Sequence, residues 1–189
     1  IGPDSVWITG DFGTIRLSSN GGNTLVTQTS SYGGFLFGVD FINNLEGWIA
    51  ADLGRVIHTT NAGANWATQT TGVSSRLYDV CFFDNQYGWA VGRDGSIMHT
   101  PDGGANWWRQ TSNTTQRLYG VDFTSRNNGW VVGWAGTVLH TVNGGTDWTP
   151  VDLGSVIEKY HVDFVDSLRG YVVGWNSEIF VTTDGGVNW

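Results

Sequence analysis

The groups able to do chemistry in this sequence recur at one spacing. His58, His99 and His140 lie 41 residues apart, which looks like a ladder of metal-ligating imidazoles. Asp40, Asp122 and Asp163 share another column, broken by Cys81. Several carboxylates around one point are what a hard cation such as calcium takes. Arg76 and Arg117 are also 41 apart, each opening an Arg-Leu-Tyr step, and Arg93 lies between them in the chain. Guanidinium groups recognise carboxylates in forked geometry. The three glutamates are Glu46, Glu158 and Glu178, and none is paired with an off-repeat aspartate as a glycosidase would need. The lone Cys81 excludes an internal disulfide and a CxxC metal motif. No Ser-His-Asp order, P-loop or GxGxxG step is present.

A spacing that regular belongs to the elements that carry these residues. Trp7, Trp48, Trp89, Trp130 and Tyr171 are 41 apart, as are Gly22, Gly63, Gly104, Gly145 and Gly186. A third column holds Leu25, Trp66, Trp107, Trp148 and Trp189, so two columns account for eight of the 11 tryptophans. One unit reads as four short runs of β-branched and aromatic residues between Gly, Asn and Asp turns, which predicts four strands, A to D. Strand C carries Ile15, Val56, Ile97, Val138 and Ile179 on one face and Arg16, Ile57, Met98, Leu139 and Phe180 on the other. Four of these copies are apolar on both faces, so the sheets are expected to be covered on both sides.

A four-stranded antiparallel sheet repeated in phase and packed between its own copies is a propeller blade. The expected fold is all-β, a propeller of about five blades with one domain over 1–189. Its phase is 1–34 (partial), 35–75, 76–116, 117–157 and 158–189 (partial). The first copy lacks strand A and the last lacks strand D. The preferred reading is a segment of a longer ring. A five-bladed ring with a gap, or a gap filled by another chain, are the alternatives. The chain opens on Ile1, which reads as a processed start or as part of something longer.

The composition narrows the partners. Forty percent hydrophobic residues exclude a disordered chain, and no apolar run is long enough to span a membrane as a helix. A net charge of −8, with one lysine, argues against nucleic acid.

The segments between strands C and D read Ser/Thr-x-Asp/Asn-x-Gly-x-x-Trp. They occur at Thr59, Asn61, Gly63, Trp66; at Thr100, Asp102, Gly104, Trp107; at Thr141, Asn143, Gly145, Trp148; and at Thr182, Asp184, Gly186, Trp189. The first copy, Ser18, Asn20, Gly22, Leu25, has lost the Trp. This resembles the Asp-box, or bacterial-neuraminidase-type, repeat. The fuller unit is similar to the propeller family of the photosystem II assembly factor and its bacterial exported relatives. Locally, the Asp or Asn closes a turn on backbone N–H groups, the Gly supplies an unusual backbone angle, and the Trp folds between blades. The box therefore reads as structure.

In a propeller the boxes share a face with the A–B turns, while the B–C turns and D–A loops share the other. That second face carries Arg76, Arg93, Arg117, Trp134 and Trp175, which are the candidate partner contacts. The competing reading of each Arg is a rim salt bridge, and of each Trp a fold over the rim onto the next blade. The resemblance implies that arginines on this face contact a client protein. The Asp40, Asp122, Asp163 column is expected near the central channel, either holding a cation or capping backbone N–H groups. The histidines are expected to be interior groups bonded across blades.

Short loops without insertions argue against catalysis, and no cofactor is expected. The reading is a non-enzymatic scaffold for a protein partner. A carbohydrate-binding module stacking sugars on Trp134 and Trp175 is the alternative, as is a segment of an Asp-box glycoside hydrolase. Acidity, scarce lysine and the family likeness together imply an exported protein, periplasmic, cell-surface or extracellular.

Overall fold

The computed structural model describes residue 2 and residues 4–189. Among these the chain folds into five antiparallel sheets, each made of strands consecutive in sequence. Blade 1 holds β1 (Val6–Gly10), β2 (Thr14–Ser18) and β3 (Val26–Gln28). Blade 2 holds β4 (Leu36–Phe41), β5 (Gly47–Ala51), β6 (Arg55–Thr59) and β7 (Ala67–Thr70). Blade 3 holds β8 (Leu77–Phe82), β9 (Gly88–Gly92), β10 (Ile97–Thr100) and β11 (Trp108–Gln110). Blade 4 holds β12 (Leu118–Phe123), β13 (Gly129–Gly133), β14 (Val138–Thr141) and β15 (Thr149–Pro150). Blade 5 holds β16 (Lys159–Phe164), β17 (Gly170–Gly174) and β18 (Ile179–Thr182). The chain is a β-propeller arc of about five blades. No helix among the described residues is long and apolar enough to cross a membrane.

The register puts one column of each strand in line. In blade 2 Asp40 opposes Trp48, Trp48 opposes His58, and His58 opposes Ala67. Blades are joined by aromatic packing in which each strand B ring lies flat on the strand A Phe of the next blade. Trp7 meets Phe41 at 3.7 Å, Trp48 meets Phe82 at 3.6 Å and Trp89 meets Phe123 at 3.5 Å between ring centroids. The box Trp of that next blade then stands edge-on to the same Phe, as Trp107 does to Phe82 at 88°. Each interface thus repeats one unit of Trp, Phe and Trp, in which the edge-on contact of the box Trp is the one aromatic quadrupoles favour.

The middle strands of blades 2, 3 and 4 are buried at every position from Gly47 to Ala51, Gly88 to Gly92 and Gly129 to Gly133. The end blades differ. Trp7 and Ile15 are buried while Ile8 is 45% exposed, and Val172 is buried while Ile179 is 67% exposed. Strand C of blades 2, 3 and 4 is covered on both faces as expected, while Ile179 lies on the open face of the last blade described.

The box segments form tight turns between strands C and D. The Thr100 hydroxyl donates to the Asp102 carboxylate at 2.9 Å and accepts the Gly104 N–H at 2.8 Å. Asp102 in turn accepts the Asn106 N–H at 2.9 Å, and Gly104 has φ of +88°. Asn20, Asn61, Asn143 and Asp184 make the corresponding bonds. Trp66 and Trp148 are buried, Trp107 and Trp189 half-buried. Sequence reading passed over the leading Ser or Thr, which bridges the two ends of the turn.

The histidine column needs correction. The histidines stack on the strand B Trp of their own blade, His140 on Trp130 at 3.9 Å. His140 bonds Asn128 at 2.8 Å and His58 bonds Glu46 at 3.2 Å, within the blade and not across blades. Of the two readings of the carboxylate column, the structure shows the capping of backbone N–H groups, and no group of three His, Cys, Asp or Glu able to hold a metal occurs among the described residues. Asp40 accepts the Phe82 N–H at 2.6 Å and Asp122 the Phe164 N–H at 2.7 Å. Each carboxylate ties its strand A to that of the next blade. Asp163, in the last blade described, is exposed.

Candidate functional site: the face of the B–C turns

Each B–C hairpin turns through two residues with positive φ, such as Leu53 at 55° and Gly54 at 64°. The backbone carbonyl of the D–A loop presses on the second of them. A Cβ on Gly54 would collide with the Val73 carbonyl, and one on Gly95 with that of Thr114. That contact fixes B–C turns and D–A loops in one surface. In blade 5 Ser177 stands in the glycine position.

The structure brings the five candidate contact residues to this surface. Arg76, Arg93, Arg117, Trp134 and Trp175 are all exposed. The rim salt bridges expected as the competing reading do not form. The ion pairs among the described residues are His58–Glu46, Arg126–Asp84, Lys159–Glu178 and Arg169–Asp166. Two of the three guanidinium groups instead lie over rings, Arg76 at 5.1 Å from the Phe35 centroid and Arg117 at 5.7 Å from that of Trp134. An arginine stacked on a ring keeps its in-plane N–H donors free for an incoming carboxylate.

The two tryptophans do not fold into a core, with Trp134 41% and Trp175 63% exposed. They flank a cleft of about 220 Å³ lined also by Ala135, Val156, Ile157 and Glu158. Just inside the rim runs an aromatic column that sequence reading missed. Phe37, Tyr78, Tyr119 and Tyr160 are the second residues of successive A strands, with neighbouring centroids 5.5, 5.2 and 5.4 Å apart. Tyr160 then meets Trp175 edge-on at 6.3 Å. The signal was present, since these rings share the 41-residue spacing. Two further exposed apolar tips, Phe12 and Leu53, occupy left-handed turn positions in blades 1 and 2.

The three glutamates are each engaged separately. Glu46 meets His58, Glu158 accepts the Tyr160 hydroxyl at 2.7 Å, and Glu178 meets Lys159 at 2.9 Å. Lys159 is fully buried at the position held by Leu36, Leu77 and Leu118 in the other blades.

A family model described as photosynthesis system II assembly factor YCF48 matches residues 64–158, just over half of the chain. No curated protein matches. Among solved structures the chain is similar to YCF48 from Cyanidioschyzon merolae, at 16% identity and a TM-score of 0.76, over 97% of this chain and 67% of that one. It is similar to YCF48 bound to D1 peptide at 18% identity and a TM-score of 0.53, over 99% and 76%. It also resembles an ancestral GH74 enzyme at 15% identity and a TM-score of 0.76, over 100% of this chain and 30% of that one. These likenesses carry the fold, and the family match carries the kinship: the chain belongs to the family of the photosynthesis system II assembly factor YCF48.

Proposed function

We propose that the protein is a non-catalytic scaffold that binds a protein partner across the B–C turn face. The observation that carries this reading is the set of arginines without carboxylates. Arg76, Arg93 and Arg117 stand on one surface of a chain whose net charge is −8. Acidic groups are plentiful in the sequence, yet none closes on these three among the described residues. Exposed aromatic rings beside unpaired guanidinium groups have the composition of interaction hot spots. A solved relative that holds a D1 peptide supports a peptide-like ligand for this family.

A random peptide library panned on the chain tests the reading. Wild-type protein is expected to enrich sequences combining acidic and apolar residues. Capture is expected to fall when Arg76→Ala and Arg117→Ala are combined. Arg126→Ala, on the box side and already paired with Asp84, serves as control. Enriched peptides that bind the double variant as well as wild type would sink the assignment.

A further inference from the structure

We infer that the cleft between Trp134 and Trp175 takes a proline-containing extended segment of the partner. This rests on the protein-binding reading above. The cleft holds about 220 Å³. That is below the roughly 300–1,000 Å³ of a site for a whole small molecule, and suits one or two residues of a longer chain. Its floor is apolar, from Ala135, Val156 and Ile157, and Val156 is 81% exposed.

The polar groups decide which chain fits. The indoles of Trp48, Trp89 and Trp148 donate within the fold, to the Gly103 carbonyl, the Gly144 carbonyl and Gln110. The indoles of Trp134 and Trp175 have no acceptor among the described residues. Both rings are exposed in the lining, so their N–H groups are open to a ligand's acceptors. The lining's side-chain acceptor is the Glu158 carboxylate, already bonded to Tyr160. A β-strand ligand brings an N–H at every residue and needs a neighbouring strand to pair with. The walls are turns and a loop, with no strand edge to extend. A proline segment brings carbonyl acceptors without the matching N–H groups, and its rings pack on aromatic faces. Aromatic grooves recognise polyproline helices by this combination. Charge of both signs stands beside the cleft, Arg117 over Trp134 and Glu158 in the lining. Residues flanking the prolines, one acidic and one basic, would be fixed in direction by that pair.

Isothermal titration calorimetry with an oligoproline peptide, and separately with cellohexaose, tests this. Wild type is expected to give saturable binding of oligoproline. Trp134→Ala and Trp175→Ala are each expected to weaken it by about tenfold or more. Trp108→Ala, which removes an exposed ring from strand D of blade 3, is expected to leave it unchanged. Both cleft rings are exposed, so their loss leaves the core intact, and circular dichroism checks that. Absence of saturable oligoproline binding by wild type overturns the inference, as does equal binding by Trp175→Ala. Saturation by cellohexaose alone would assign the cleft to a glycan and overturn it too. If oligoproline fails while library peptides still bind through Arg76 and Arg117, the cleft assignment falls and the protein-binding reading stands. If both fail, the reading beneath it falls as well.

Discussion

Trp89 lies on Phe123 with ring centroids 3.5 Å apart and planes 8° from parallel, although the two residues belong to different blades. The same contact recurs from blade to blade, and the matching Tyr171, in the last blade described, is 42% exposed. The column therefore contains both a buried and an unburied copy of one residue.

That contrast sets the first prediction. Removing a fully buried ring costs its transfer energy and leaves a cavity, so Trp89→Ala is expected to lose about 3–5 kcal/mol. Tyr171→Ala removes a ring that water already reaches, and is expected to lose about 1 kcal/mol or less. Urea denaturation of the two variants gives the comparison. Equal losses would mean that the face of blade 5 is covered in solution.

The strand A carboxylates make stability depend on pH in an uncommon direction. Burial pushes Asp79 up to about 7 and Asp40 up to about 6, and neighbouring carboxylates add to the rise. A raised carboxyl binds its proton more tightly folded than unfolded. Its contribution is full below about pH 4, the unfolded value, and is lost as pH rises through 6 to 7. The half-buried histidines act in the opposite sense, since partial burial lowers His58, His99 and His140. The carboxyl effect is therefore read as a difference. From pH 5 to pH 8 the Tm of wild type is expected to fall relative to that of Asp79→Asn, which keeps an acceptor for the Val121 N–H. Parallel Tm profiles for the two proteins would remove the carboxyl from the account.

The B–C turns carry strain that the fold does not need. Leu53 has φ of 55° and is 63% exposed. A branched residue there costs about 1–2 kcal/mol over glycine and gains little packing in return. Asn176 occupies the same turn position in blade 5 at φ of 59°. Leu53→Asn is expected to raise stability by about 1 kcal/mol, seen as a higher urea midpoint. If the apolar tip is kept for binding, the same variant loses affinity for the peptides selected above. A lower midpoint would show that Leu53 packs where it is now exposed.

How much of this was legible in the sequence follows from what repeats. The period fixed the Trp columns and the strand order, because a buried position in one blade must be buried in the next. It also carried the Phe column, Phe41, Phe82, Phe123 and Phe164, which was overlooked beside the tryptophans although it sits in the middle of each interface. What did not repeat was harder to place. Whether Arg76 and Arg117 meet a carboxylate depends on where loop atoms lie within about 4 Å, and spacing in the chain does not encode that. The same holds for Lys159, which reads in sequence as a surface charge and lies fully buried.

Lys159 supplies the last prediction. Its ammonium meets the Glu178 carboxylate at 2.9 Å, with the Ser155 hydroxyl at 3.4 Å and the Ile157 carbonyl beside it. Taking the charge out of water is offset here by three polar partners, and blades 2, 3 and 4 avoid the problem with leucine. Glu178 keeps a side chain 24% exposed, so it can rehydrate when its partner is gone. Lys159→Leu is therefore expected to leave stability unchanged or to raise it by about 1–4 kcal/mol. Glu178→Leu leaves a buried ammonium without its counter-ion and is expected to lower stability. Calorimetric melting of both variants separates the cases. A large loss from Lys159→Leu with little from Glu178→Leu would mean that the ammonium is held by Ser155 and Ile157 and that the ion pair adds nothing.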